Sequence, residues 1–311
     1  MRTVLLLPAL AALAGCASAP ASAPHPPITP ADTRADAPSP APREGVEFAV
    51  FRGDGTPATL PALVAEAGQA QVVLFGEEHD DAMTHRLQTE LLQRLFLEAR
   101  PVVLSLEMFE RDVQIVVDEY LQGLITEAHF LASARPWDHY EERYRPAVEF
   151  AREHGIPVVA ANAPRRYVNR VSRLGPESLS DLSPAALAHL PPLPYYPGSE
   201  RYRAEWDALM EGAAGHGGGD PFHGQVLWDA SMGESIARTL ERMSGALVLH
   251  FAGSFHVANH TGTPEALAHY RPGTRTLVLV SVPAETLDRL PEEHRGAGDF
   301  VVLTTAPTGT S

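Results

Sequence analysis

The sequence contains no lysine: its 24 basic residues are all arginine, set against 39 aspartates and glutamates, for a formal charge of −15. So acidic a chain opposes association with nucleic acid, whose phosphates need a basic face, and no nucleic-acid partner is expected. Cysteine is nearly absent too. Cys16 stands alone, which excludes an internal disulfide and any cysteine-built zinc or iron–sulfur centre. What remains is a globular composition, 44% apolar and 20% charged, and at 311 residues the chain can bury a large core in one large or two modest domains.

The lone cysteine ends a leader-like segment. Met1-Arg2 is a short basic start, an apolar stretch follows to Ala12, and Leu13-Ala14-Gly15-Cys16 supplies small residues before a cleavage point. The layout resembles a bacterial lipoprotein signal peptide, with residues 1–15 removed and Cys16 acylated as the first mature residue. The apolar stretch is shorter than the roughly 20 residues that span a bilayer, whereas two or more acyl chains (palmitate among them) anchor stably. Residues 16–45 then form the lipidated cysteine and a proline- and alanine-rich tether, which cannot bury enough apolar surface to order itself. The folded domain is expected over 46–304, with a disordered tail at 305–311. Ala17 occupies the place of the aspartate that resembles an inner-membrane retention signal, so the expected location is the bacterial cell envelope, at the outer membrane.

Within the domain, short apolar runs alternate with longer amphipathic ones. Strands are expected at 71–76, 101–107, 156–162, 246–253 and 276–280, and helices at 83–98, 110–122 and 140–154. Near-continuous β-branched runs separated by helices describe an α/β fold, a largely parallel sheet covered by helices on both faces. Between about 164 and 224 the pattern gives way to proline-rich turns and weak helices, read as a helical insertion carrying one glycine-rich loop.

Four of the five strands end in polar residues: Gly76-Glu77-Glu78-His79-Asp80-Asp81, then Glu107, Asn162, and Gly253-Ser254-Phe255-His256. Ligands of open α/β sheets sit outside the carboxyl ends of the strands, so His79, Glu107 and His256 are expected to converge there. Asp80 and Asp81 read as helix caps. His250 reads as a hydrogen-bonded core histidine, and His216 and His223 as solvated residues beside the loop. Trp137, Tyr140 and Tyr144 are spaced three and four apart and so share a face of a helix, with Arg143 and Arg145 alongside. Asn162-Ala163-Pro164-Arg165-Arg166-Tyr167 runs from a strand end into a helix start, where free N–H groups and two guanidiniums suit a carboxylate or phosphate. Gln225 and Asp229, one turn apart, can point into one pocket.

Taken in order, Gly76-Glu77-Glu78-His79-Asp80, Glu107-Met108-Phe109, Trp137 with Tyr140 and Tyr144-Arg145-Pro146, Ala161-Asn162-Ala163-Pro164-Arg165, Gln225 with Trp228-Asp229-Ala230-Ser231-Met232, and Gly253-Ser254-Phe255-His256 resemble the ChaN family. These are haem-binding bacterial lipoproteins associated with iron uptake. The resemblance spans about Val46 to Val280 and implies an α/β domain that forms a homodimer around haem, with an outer-membrane haem or iron receptor as a further partner. It implies an iron-ligating tyrosine from one subunit and basic residues of the other on the propionates. A phenolate is a hard oxygen donor suited to ferric haem, and a neighbouring arginine favours the phenolate. Tyr144 is the first choice, Tyr140 the second and Tyr167 the third. The family sets histidine and lysine on the propionates; with no lysine in this chain, Arg165 or Arg166 stands in, and His79 or His256 serves as the histidine.

The same turns also resemble the wider superfamily that includes Tiki-type metalloproteases and erythromycin esterases. On that alternative the chain is a metal-dependent hydrolase, a peptidase or esterase, in which His79, Glu107 and His256 bind Mn, Zn or Fe or act as general base on a water, assisted by Glu77 or Glu78.

Overall fold

The computed structural model describes residues 47–97, 100–211 and 219–305. The expected leader with Cys16, the expected tether, His216 and residues 306–311 lie outside the described residues. Eight strands form one sheet: β1 (Phe48–Arg52), β2 (Pro57–Ala58), β3 (Val72–Glu77), β4 (Val102–Glu110), β5 (Val158–Asn162), β6 (Leu247–Gly253), β7 (Thr276–Ala284) and β8 (Phe300–Thr305). Their order is β2-β1-β8-β7-β3-β6-β4-β5. From β8 to β5 neighbours run parallel, and β1 runs antiparallel to both β8 and β2.

The helices are α1 (Leu60–Ala67), α2 (Ala82–Phe96), α3 (Gln114–Leu121), α4 (Glu127–Ala134), α5 (Tyr140–Arg143), α6 (Arg145–His154), α7 (Arg165–Leu174), α8 (Pro184–Leu187), α9 (Glu200–Leu209), α10 (Phe222–Arg242) and α11 (Thr263–Tyr270). The central strands are mostly apolar because both faces are covered. Alternate residues part to opposite sides: Val73, Phe75, Leu104, Leu249 and Phe251 join one core, with Leu91 and Leu95 of α2. Val72, Leu74, Val103 and Val248 join the other, with Met232 and Ile236 of α10. Between β5 and α10 stand α7, a 3₁₀ stretch Pro176–Asp181, α8 and α9, which share a third core built on Tyr195, Tyr202 and Phe222.

Three features depart from the sequence reading. The expected helix over 140–154 is two helices, broken at Tyr144 (φ −113°, ψ −28°), because Pro146 has no N–H to continue the ladder. Trp137 lies outside any helix, before α5, which starts at Tyr140 after the left-handed His139 (φ 60°), so it does not share a helix face with Tyr140 and Tyr144. Strands β1, β2 and β8 and helices α1, α4 and α11 are additional to those expected. Thr305, expected to begin the tail, closes β8 by pairing with Ala284 of β7.

Candidate functional site

The site grows from the adjacent carboxyl ends of β3, β6 and β4. The parallel register sets Glu77 beside Gly253 and Leu106 beside Phe251, so the polar residues that follow these strands meet at one edge. Glu77 is buried, and its carboxylate gathers four groups. Oε1 accepts from Nδ1 of His79 at 3.0 Å and from the Tyr144 hydroxyl at 2.6 Å. Oε2 accepts from Nε2 of Gln88 at 2.5 Å, and Nδ1 of His85 lies 3.6 Å away. His85 and Gln88 arrive together because Asp81 caps α2, accepting from the N–H groups of Met83 and Thr84.

His79 is the one member of this group with substantial exposure, 48% of its side chain. Its ring stands edge-on to Trp137, with centroids 5.0 Å apart. A Cβ added at Gly253 would come within 3.1 Å of its Cε1 and Nε2, so glycine keeps the ring's seat open. With Nδ1–H donated to Glu77, Nε2 carries the lone pair. The hydrogen bond to Glu77 raises the pKa of His79, outweighing the opposing effect of burial.

Deeper in, a charged chain runs from α10 to β4. Nδ1 of His256 lies 2.8 Å from Oδ1 of Asp229, and its Nε2 lies 3.3 Å from Oε1 of Glu107. Oε2 of Glu107 accepts the Gly253 N–H at 2.7 Å. Asp229 also accepts from the hydroxyls of Tyr202 (2.7 Å) and Thr263 (2.9 Å), and Gln225 abuts Nδ1 of His256 at 3.0 Å. Burial by itself disfavours charge on His256, but the flanking carboxylates Glu107 and Asp229 overcome it and raise its pKa well above the ordinary value. Burial likewise pushes the Glu107 carboxyl up, and the His256 charge and the Gly253 N–H outweigh it, holding the group at about 2. The result is an imidazolium clamped between two carboxylates.

The structure therefore brings His79, Glu107 and His256 to one edge but gives them different surroundings. His256 is buried with both ring nitrogens engaged, so it presents nothing to a propionate. Tyr144 is buried, its hydroxyl is spent on Glu77, and burial followed by the Glu77 charge raises its pKa. Tyr140 is packed against Phe109 and Phe130, its hydroxyl has no hydrogen-bond partner among the described residues, and burial raises its pKa as well. Neither expected tyrosine offers a phenolate to solvent. Tyr167 is half-buried with the Arg166 guanidinium 4.4 Å over its ring, and Arg166 is held by Asp112 at 2.5 Å. Arg165 is the freer of the pair: 65% exposed, 5.6 Å over the Trp137 ring and 3.9 Å from Glu110.

The divalent-metal alternative finds no support here: no group of three or more metal-ligating side chains is arranged to hold an ion among the described residues, and Glu107 and His256 are taken up by each other, Gly253 and Asp229. Gln88, His85 and Tyr202 join the site without being marked as site residues in the sequence. The three-residue spacing of His85 and Gln88 behind a capping aspartate was the available signal; nothing local marked Tyr202.

The sequence profile of a family described as haem-binding uptake, Tiki superfamily, ChaN matches residues 63–267. No curated protein matches in sequence. Among solved structures, ChaN of Campylobacter jejuni, described as binding heme cofacially, is similar at 15% identity with a TM-score of 0.64, over 85% of this chain and 99% of that one. At that identity the likeness speaks for the α/β fold. A Bacillus cereus protein is more loosely similar (11% identity, TM-score 0.47, 80% and 92% of the two chains). So is a mutant of the erythromycin esterase EreC in its open conformation (12%, 0.43, 84% and 83%).

Proposed function

The chain belongs to the ChaN family of haem-binding uptake proteins in the Tiki superfamily, and from that membership we propose that it takes haem as cargo at the carboxyl edge of the sheet, with His79 meeting the iron. The observation that carries this is the pairing of a half-exposed His79 with the buried Glu77 carboxylate at 3.0 Å. Histidines that bind metals commonly donate their other N–H to a carboxylate, which fixes the tautomer and strengthens the free nitrogen as a donor. Haem, when bound, would supply the iron that such a nitrogen could hold. Around His79 stand the Trp137 ring, nearly perpendicular to it, and the Arg165 guanidinium, exposed enough to pair with a propionate.

On this reading Tyr144 acts through Glu77 and is a positioning residue. Its hydroxyl, with the Gln88 amide, holds the carboxylate that orients His79. Acylation at Cys16 would keep the protein on the outer membrane, its tether giving the domain reach toward a receptor, and a second copy would cover the outward face of the haem.

Hemin titration of the purified protein, followed by absorption and EPR spectra, tests the assignment. Saturable binding by the native chain is expected, lost in His79→Ala and weakened about tenfold in Tyr144→Phe, the cost expected of an outer-shell partner. A tyrosinate spectrum that vanishes in Tyr144→Phe and survives in His79→Ala would transfer the ligand role to Tyr144. No saturable binding by the folded native chain would overturn the carrier reading.

A further inference from the structure

Beyond the haem edge, α10 carries a second cluster on its carboxyl-terminal half. A cavity of about 390 Å³ opens there against β5, the edge strand, and α3. Three guanidiniums line it: Arg111, Arg238 and Arg242. Ser235, Arg238 and Arg242 recur at helical spacing along one side of α10, a stripe about 10 Å long. Asp118 is the carboxylate in the lining, and its Oδ1 is taken by the Gln114 amide at 2.8 Å. Glu234 is shared, 2.5 Å from Nη2 of Arg111 and 3.6 Å from Nε of Arg238. Arg242 makes no ion pair among the described residues. A surplus of positive charge thus gathers at one cavity of a chain whose net charge is −15.

Arg111 is what distinguishes the cluster from a solvated surface. Its side chain is only 8% exposed, with Nε donating to Ser235 at 2.9 Å and Nη2 to the Ser231 carbonyl at 2.5 Å. Its Nη1 is buried with no hydrogen-bond partner among the described residues. A buried donor without a partner is costly and calls for an acceptor.

We propose that this cavity is a binding site for a small phosphorylated anion of the diphosphate class, independent of the haem reading. Planar guanidiniums pair with phosphoryl oxygens through two parallel hydrogen bonds. Arg111 supplies the fixed inner charge, and Arg238 and Arg242 close on the ligand from the rim. The volume lies within the range of small-ligand sites.

Calorimetric titration of the full chain with inorganic pyrophosphate and with inorganic phosphate, at constant ionic strength, is the test. Saturable one-to-one binding of pyrophosphate is expected, tighter than phosphate, and weakened about tenfold or more in the Arg238→Gln/Arg242→Gln double variant. Those two residues sit at the rim, so the double variant leaves the Arg111 network folded; hemin binding should be unchanged in it. Binding that the double variant retains in full, equal affinity for the two anions, or no saturable pyrophosphate binding by the native chain would each overturn the proposal.

Discussion

His250 and His256 are six residues apart and both buried, yet His250 is held neutral by burial while the carboxylates of Glu107 and Asp229 keep His256 charged. His250 is fully enclosed in β6, its Nδ1 2.9 Å from the Ser105 hydroxyl, and burial lowers its pKa to about 4. The unfolded chain, with an ordinary value near 6.5, takes up the proton first, so this residue's stabilising contribution is lost as pH falls from 6.5 toward 4. The amount is about 3 kcal/mol at most. Urea unfolding of His250→Gln should therefore show its deficit against the native chain shrinking between pH 7.5 and pH 4.5; a constant deficit would mean that the fold leaves the His250 pKa at its ordinary value. His256 works the other way. Its raised value makes its contribution complete below about 6.5 and lost as pH climbs through the folded-state value.

His79 adds a functional counterpart. An imidazolium cannot bind iron, so hemin affinity should rise with pH through a range above the ordinary histidine value. Because Glu77 is the main cause of the upward shift, Glu77→Gln should move that rise to lower pH even as it weakens binding. An unmoved midpoint would sever Glu77 from the ligand. At this scale the sequence was legible where chemistry clustered on strand ends: the Gly-Glu-Glu-His turn, Glu107 and the late Gly-Ser-Phe-His all meet. It was not legible in which side chains face out. Burial of Tyr144 and His256 depends on packing between segments more than 60 residues apart, as the Tyr144–Glu77 bond shows.

Among elements, the five parallel strands β3 to β7 were readable because double-sided burial demands nearly continuous apolar runs. The missed β1 and β8 pair with one another from opposite ends of the domain, a partnership that no local pattern carries. The packing of α10 on α11 was equally hidden, and it hinges on Gly233. A Cβ there would come within 2.7 Å of the Leu267 backbone nitrogen and 2.8 Å of Ala266 Cβ. Backbone cannot step aside as a side-chain tip can. Gly233→Ala should thus cost about 1–3 kcal/mol despite its better helix propensity, by forcing the two helices apart. Thermal unfolding would register the loss, and a variant as stable as the native chain would show that the helices tolerate a wider spacing. Since α10 also bears Asp229, the clamp on His256 should loosen with it.

For the whole molecule, charge and cargo pull against each other. If haem binds at His79 as proposed, a single chain would leave part of its apolar surface in water, and a second copy of the chain could cover it. The two copies each carry −15, so their approach is opposed by a repulsion that salt screens over about 10 Å at 0.1 M ionic strength. Hemin-dependent dimerisation should for that reason strengthen with ionic strength, opposite to an association held by salt bridges. Sedimentation with and without hemin, from low to moderate salt, reads this directly: monomer without hemin, dimer with it, and a dimer fraction that grows with salt. His79→Ala should remain monomeric throughout. A monomer that binds hemin at every salt concentration would remove the second subunit from the site and leave a single chain to shield its cargo.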